Sequence, residues 1–98
     1  MSGDAVAIVK DMAITVKDFF RLLPRALDGE DYTVDGHRVD VNGDGRHVVI
    51  TITPSEPRRI ALVVIERCEV SLTFTGHTEE SRDAFLFLFD RAYRRGGG

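Results

Sequence analysis

Asp40-Val-Asn-Gly-Asp-Gly-Arg46 is the stretch whose residue types and spacing come nearest to chemistry. It matches the first half of a calcium loop, where oxygen ligands at positions 1, 3 and 5 precede a glycine that makes the sharp turn. Such a site also needs a ligand at position 9, a bidentate acid at position 12 and a second helix. Counted from Asp40, positions 9 and 12 are Val48 and Thr51, within the run Val48-Val-Ile-Thr-Ile-Thr53. Those β-branched side chains favour a pleated strand. Asn-Gly and Asp-Gly are strong hairpin signals, because these residues tolerate the positive φ that tight turns demand. The spacing therefore predicts a hairpin turn, and no metal is assigned to it. If the turn pairs Val41 with Arg46, Asp40 faces His47 as a cross-strand polar pair and Val39 faces Val48.

The other chemically capable residues are scattered. His37, His47 and His77 have neither helical nor alternate-residue ligand spacing. Cys68, the single cysteine, alternates with Val70, Leu72 and Phe74, which points its thiol into the core. A buried cysteine behaves as a small hydrophobe. Asp28, Glu30, Asp31 and Asp35 read as a solvated cluster around a helix end and a turn. No phosphate-binding glycine loop, nucleophile elbow, paired-cysteine motif or zinc-protease helix motif occurs. No catalytic, cofactor-binding or metal residue is assigned, and the chain is not expected to be an enzyme.

Composition narrows the classes further. The chain has 98 residues, net charge −3, 43% apolar and 30% charged residues. That length makes one domain able to bury a core without a disulfide or metal. The acidic balance argues against a nucleic-acid partner, which needs a concentrated positive field. No apolar run reaches the roughly 20 residues that span a bilayer, so no membrane partner is expected. The N-terminal MSGDAVAIVKD lacks the features of a signal peptide, and one unpaired cysteine suits a reducing, cytoplasmic setting.

The elements that position these residues follow from periodicity. Residues 5–14 form a first strand with Val6, Ile8, Met12 and Ile14 on one face. Thr15 then caps a helix whose apolar side is Val16, Phe19, Leu22, Leu23, Ala26 and Leu27, ending near Gly29. Pro24 lies inside it and predicts a kink or two short helices in series. Tyr32–Asp35, with Gly36, leads into His37–Val41, and Arg46–Thr53 follows the hairpin turn. Pro54 and Pro57 bracket a polar loop. Ile60–Ile65 is a continuous apolar run, typical of a strand covered on both faces. Residues 68–75 alternate as a half-wet strand. The join Glu66-Arg-Cys-Glu69 is taken as a tight turn, with one bent strand as the alternative. Thr78 caps a last helix with Glu79 and Glu80 in its first turn, and Gly96–Gly98 form a flexible tail after a domain spanning 1–95.

The resulting order, β-α-β-β-β-β-α, predicts a two-layer α+β domain. An antiparallel sheet of about five strands carries both helices on one face, because each helix has one apolar stripe to bury. This order and the kink at Pro24 resemble the helix-grip, or TATA-binding-protein-like, folds, which include the birch-pollen-allergen and START-type lipid binders. The resemblance implies paired short helices cradling a long C-terminal helix, with a small apolar ligand between helices and sheet.

The last helix adds a feature the fold does not need. Phe85, Leu88, Phe89 and Ala92 form its predicted core stripe, with Leu86 and Tyr93 at the edge. Phe87 falls on the opposite side with Arg91 and Arg94, and these three residues are a candidate interface. The expected function is a non-enzymatic protein-interaction module whose partner is another protein or a second copy, forming a homodimer. Binding a small apolar ligand is the alternative. The tail Gly96-Gly-Gly98 resembles that of ubiquitin-like modifiers and sulfur carriers, which implies a carrier role as a further alternative.

Overall fold

The computed structural model describes residues 5–97, with side chains to Arg94. Its elements are β1 (Val6–Met12), α1 (Val16–Ala26), β2 (Asp31–Asp35), β3 (Arg38–Asn42), β4 (His47–Ile60), β5 (Val63–Thr75) and α2 (Glu79–Gly97). The strands form one antiparallel sheet in the order β1-β5-β4-β3-β2. The two-layer α+β architecture expected from the sequence is present, with five strands and two helices.

Local chemistry explains where the elements begin. The Asp18 amide donates to Thr15 Oγ1 at 3.0 Å, so Thr15 caps α1 through its side chain. At α2, the Ser81 amide donates to Thr78 Oγ1 and the Thr78 amide donates to Ser81 Oγ, both at 3.0 Å. This is a reciprocal capping box with serine in the usual place of glutamate. α1 is a single helix rather than two short ones in series, because Pro24 falls in its last turn. The missing amide there removes one hydrogen bond with only two helical residues left. α2 takes in Gly96 and Gly97, while Gly98 lies outside the described residues.

Alternation builds the core. Val39 and Val41, Val48, Ile50 and Ile52, and Cys68, Val70, Leu72 and Phe74 all point to the helix side and are buried. Ile8 and Met12 of β1 pack on the same layer. Phe19, Leu22 and Leu23 of α1, with Leu27 at its C-cap, close over them, as the sequence predicts. α2 is rotated relative to expectation. Phe89, Ala92 and Tyr93 are buried, whereas Leu88 is 56% exposed. Neighbouring helical residues lie about 100° apart, so centring the stripe between Phe89 and Tyr93 turns Leu88 out. Tyr93 decides that rotation. Its ring stacks on Phe19 with centroids 4.9 Å apart, and its hydroxyl donates to the Phe19 carbonyl at 2.9 Å. Burial raises the Tyr93 phenol above its ordinary pKa, so this donor stays protonated.

One close backbone approach ties the sheet's corner together. Gly76, at φ +77°, ends β5 against the β3–β4 turn, where an added Cβ would overlap the Gly45 carbonyl oxygen. Gly29 has φ +86° and open space around it. Gly76→Ala is expected to cost about 3 kcal/mol or more, combining backbone strain with overpacking. Gly29→Ala is expected to cost about 1 kcal/mol, from strain alone. Urea unfolding of the two variants checks this, and equal losses would contradict the close approach.

Candidate functional site

The sheet body ends before β4 and β5 do. β1 stops at Met12 opposite Cys68, and β3 begins at Arg38 opposite Thr51. Beyond these points β4 and β5 pair only with each other, from Ser55↔Arg67 out to Ile60↔Val63. A ribbon of that length reaches roughly 20 Å, at about 3.3 Å per residue. The molecule accordingly measures 50 × 25 × 25 Å, with a radius of gyration of 14.1 Å. A compact domain of this size is expected near 12.6 Å (~2.2·N^0.38).

Three sequence expectations are corrected in this arm. Pro54–Arg58 is not a loop. It is strand, with an irregularity in pairing between Ser55 and Arg58. Proline is tolerated there because β4 has no further strand at its outer edge to demand an amide. Glu66-Arg-Cys-Glu69 is not a turn but the middle of β5, in line with its lack of turn-forming residues. Ile60–Ile65 is not covered on both faces. It contains the arm's tip, where Ala61 and Leu62 form the connection between Ile60 and Val63. β-branched residues specify extended backbone, but whether anything covers that backbone is set by the rest of the fold.

The tip is apolar and open to water. Leu62 is 98% exposed, and Ile60, Val63 and Val64 are each roughly half exposed. Pairing places Ile60 opposite Val63 and Arg58 opposite Ile65 on the arm's outer face, with Arg59 opposite Val64 on the other. At the base, Arg67 forms a bidentate ion pair with Asp11 of β1, with Nε to Oδ1 at 3.2 Å. That pair bridges β1 and β5 at the point where the arm leaves the body.

The predicted interface residues Phe87, Arg91 and Arg94 are all exposed, with Phe87 at 64%. Leu88 joins Phe87 to make a second apolar patch. It also rims a groove of about 210 Å³ between the end of α1 and the start of α2, with Val41, Val48 and Phe85 on its floor. Asp28 and Glu30 of the predicted acidic cluster stand at this groove with His77. His77 accepts or donates at Ser81 Oγ across 2.9 Å, and its pKa is lowered by burial and by Arg46.

The Asp40–Arg46 stretch forms the end of β3, a hairpin loop and the approach to β4, closed by the Gly43 amide on the Arg46 carbonyl at 2.9 Å. The register differs by two residues from expectation, which leaves each side chain on its expected face. Val41 faces Val48 and Asp40 faces Val49. Asp40 and His47 still meet, diagonally, at 3.0 Å. Arg38 holds the same carboxylate through Nε and Nη2, both at 3.0 Å. Arg38 above all, and His47 after it, hold the Asp40 carboxyl down at about 2 against an ordinary 3.8. This trio lies on the helix-free face of the sheet. Among the described residues no three His, Cys, Asp or Glu side chains group as metal ligands. Cys68 is buried as expected, 1% exposed, and burial pushes its thiol pKa up.

No family model, curated protein or solved structure matches the chain. Among the described residues no helix is long and apolar enough to cross a membrane.

Two measurements follow. Iodoacetamide at neutral pH is expected to label Cys68 only after denaturant is added, and rapid labelling of the folded chain would contradict its burial. Asp40 has a depressed folded-state pKa, so its contribution to stability is present above pH 4 and lost as pH falls towards 2. Asp40→Asn is expected to flatten that segment of the stability–pH curve. An unchanged slope between pH 4 and 2 would show that the ion cluster does not hold in solution.

Proposed function

We propose that this domain is a protein-interaction module whose contact element is the β4–β5 arm. The observation that carries this reading is the apolar tip, Ile60, Leu62, Val63 and Val64, held in solvent by a fold that has already completed its core. Covering apolar surface is favourable by about 25 cal/mol per Å², so such a tip gains free energy from any partner that encloses it. Phe87, Leu88, Arg91 and Arg94 offer a second, aromatic surface on α2 for the same purpose.

A small apolar ligand between helices and sheet is the second reading, and the groove beside Leu88 and Phe85 supports it. Its volume of about 210 Å³ limits it to a small occupant, since drug-sized ligands take roughly 300 Å³ or more. A larger, shallow depression of about 560 Å³ is lined by charged groups, including Lys10, Asp11, Asp90 and Arg94. The helix-grip resemblance belongs with this second reading. α1 and α2 lying against one another on one sheet face support it.

A photo-crosslinking side chain in place of Leu62 tests the arm without naming the partner. A single discrete higher-mass adduct is expected in cells, while the same group at Thr33, exposed on the sheet's polar face, gives none. No adduct at position 62, or the same ladder at both positions, would overturn the proposal. Phe87→Ala is expected to change stability by less than about 0.5 kcal/mol, as an exposed position should. If α2 shares the interface, it should also lower adduct yield.

A further inference from the structure

We infer that the arm's partner is a second copy of this chain, and that the two copies associate by exchanging β5 and α2 through an opened β4–β5 turn. The inference rests on the arm being the contact element and adds what it contacts.

The turn is where sequence and backbone disagree. Ala61 has φ +54° and is the one non-glycine residue with positive φ among the described residues. The other two hairpin turns place glycine at their positive-φ positions, Gly36 at +61° and Gly45 at +73°. In the left-handed region a Cβ crowds the neighbouring carbonyl, which is why tight hairpin connections select Gly, Asn or Asp. Ile60-Ala-Leu-Val-Val-Ile65 contains none of these. Its four β-branched residues, Ile60, Val63, Val64 and Ile65, favour extended backbone, and neither Ala61 nor Leu62 carries a turn preference. The tight turn is thus imposed on a segment whose local preference is to run straight, and short strained connections favour domain exchange.

The register makes the straight alternative complete. The arm pairs Arg58 with Ile65, Arg59 with Val64 and Ile60 with Val63. If β4 continues directly into β5, each pair forms instead between two copies related by a two-fold axis. The ladder then gains Ala61 opposite the second copy's Leu62, and Leu62 opposite its Ala61. Both bodies keep every strand pairing and core contact they have now. Ala61 relaxes to extended backbone, and Leu62 moves from a solvent-exposed tip to the middle of a strand. The contact is isologous and closes at two copies. Pro54 and Pro57 leave β4 with fewer amides to offer a stray strand, so the arm's pairing is steered to β5.

Exchange between folded chains is slow. β5 and α2 carry Val70, Leu72, Phe74 and Phe89, all buried, so releasing them amounts to unfolding the body. The two forms are chosen as the chains fold, and chain concentration during folding sets their ratio.

The test refolds the full chain at low and high concentration and measures mass by light scattering after sizing. Wild type is expected to give more dimer from the concentrated refold, with the two forms staying separate for hours. Ala61→Asn with Leu62→Gly supplies the turn chemistry and is expected to lower the dimer fraction at least tenfold. Deleting Ala61 and Leu62 removes the turn and is expected to leave dimer only. Arg59→Cys with Val64→Cys, directly opposed in the arm, reports which chains pair. On a non-reducing denaturing gel the dimer should run as two linked chains. A dimer whose disulfides stay within each chain would overturn exchange while leaving the arm as a docking surface. A deletion variant that folds as monomer would overturn exchange outright. A wild-type chain that stays monomeric in every refold, yet crosslinks from position 62 to a different protein, would sink the second-copy assignment and keep the interaction reading.

Discussion

A mismatch of lengths governs this molecule. α1 has 11 residues and α2 has 19, or about 16 and 28 Å of helix at 1.5 Å per residue. β4 and β5 have 14 and 13 residues, which at about 3.3 Å each make a ribbon of roughly 45 Å. The flanking strands have only 5 to 7 residues. Helices and short strands can complete a core on half of the ribbon, and the other half has nothing left to cover it. The aromatic contact of Phe19, Phe89 and Tyr93 fixes which half, because it clamps both helices over the body.

The arm's chemistry follows from that division. A two-stranded ribbon alone in water is held by its own ladder and cross-strand side-chain pairs, each contributing a few tenths of a kcal/mol. Ile60 against Val63 and Ile65 beside them supply such pairs. Charges at Glu56, Arg58, Arg59 and Glu66 keep the ribbon soluble between its apolar tip and the body. Two prolines and a pairing irregularity guard one edge. Such features protect an exposed ribbon from stray pairing, and the positive-φ connection at Ala61 lies at its tip.

Much of the body was legible in the chain. Thr15 and Thr78 announce helix starts because their hydroxyls satisfy amides that the helix leaves orphaned. The α1 face is legible since its apolar residues recur at helical spacing with no competing set. Hairpins at Gly36 and Gly45 are legible because only a few residue types accept positive φ. The α2 face was misjudged by one position, since Leu88 and Tyr93 both fit a stripe around Phe89. Only the stacking of Tyr93 on Phe19 and its hydrogen bond choose between them. The register at Asp40 slipped because loop length, not residue type, sets pairing. The arm was hidden for a deeper reason. Its turn uses alanine and leucine, which carry no turn signal, and an apolar β-branched run looks the same whether a partner strand, a helix or nothing lies over it. The spacing of Pro54 and Pro57 inside a strand-forming region was the one sequence feature that pointed to an unpaired edge.

Amide hydrogen exchange on the dilute, monomeric chain tests the central division most directly. Peptides covering residues 47–53 and 68–75 are expected to exchange only through global unfolding, while residues 55–66 exchange orders of magnitude faster through opening of the arm alone. Equal protection along the whole of β4 and β5 would mean that the far half of the ribbon is covered, and the account of this protein as a completed body with a free arm would not stand.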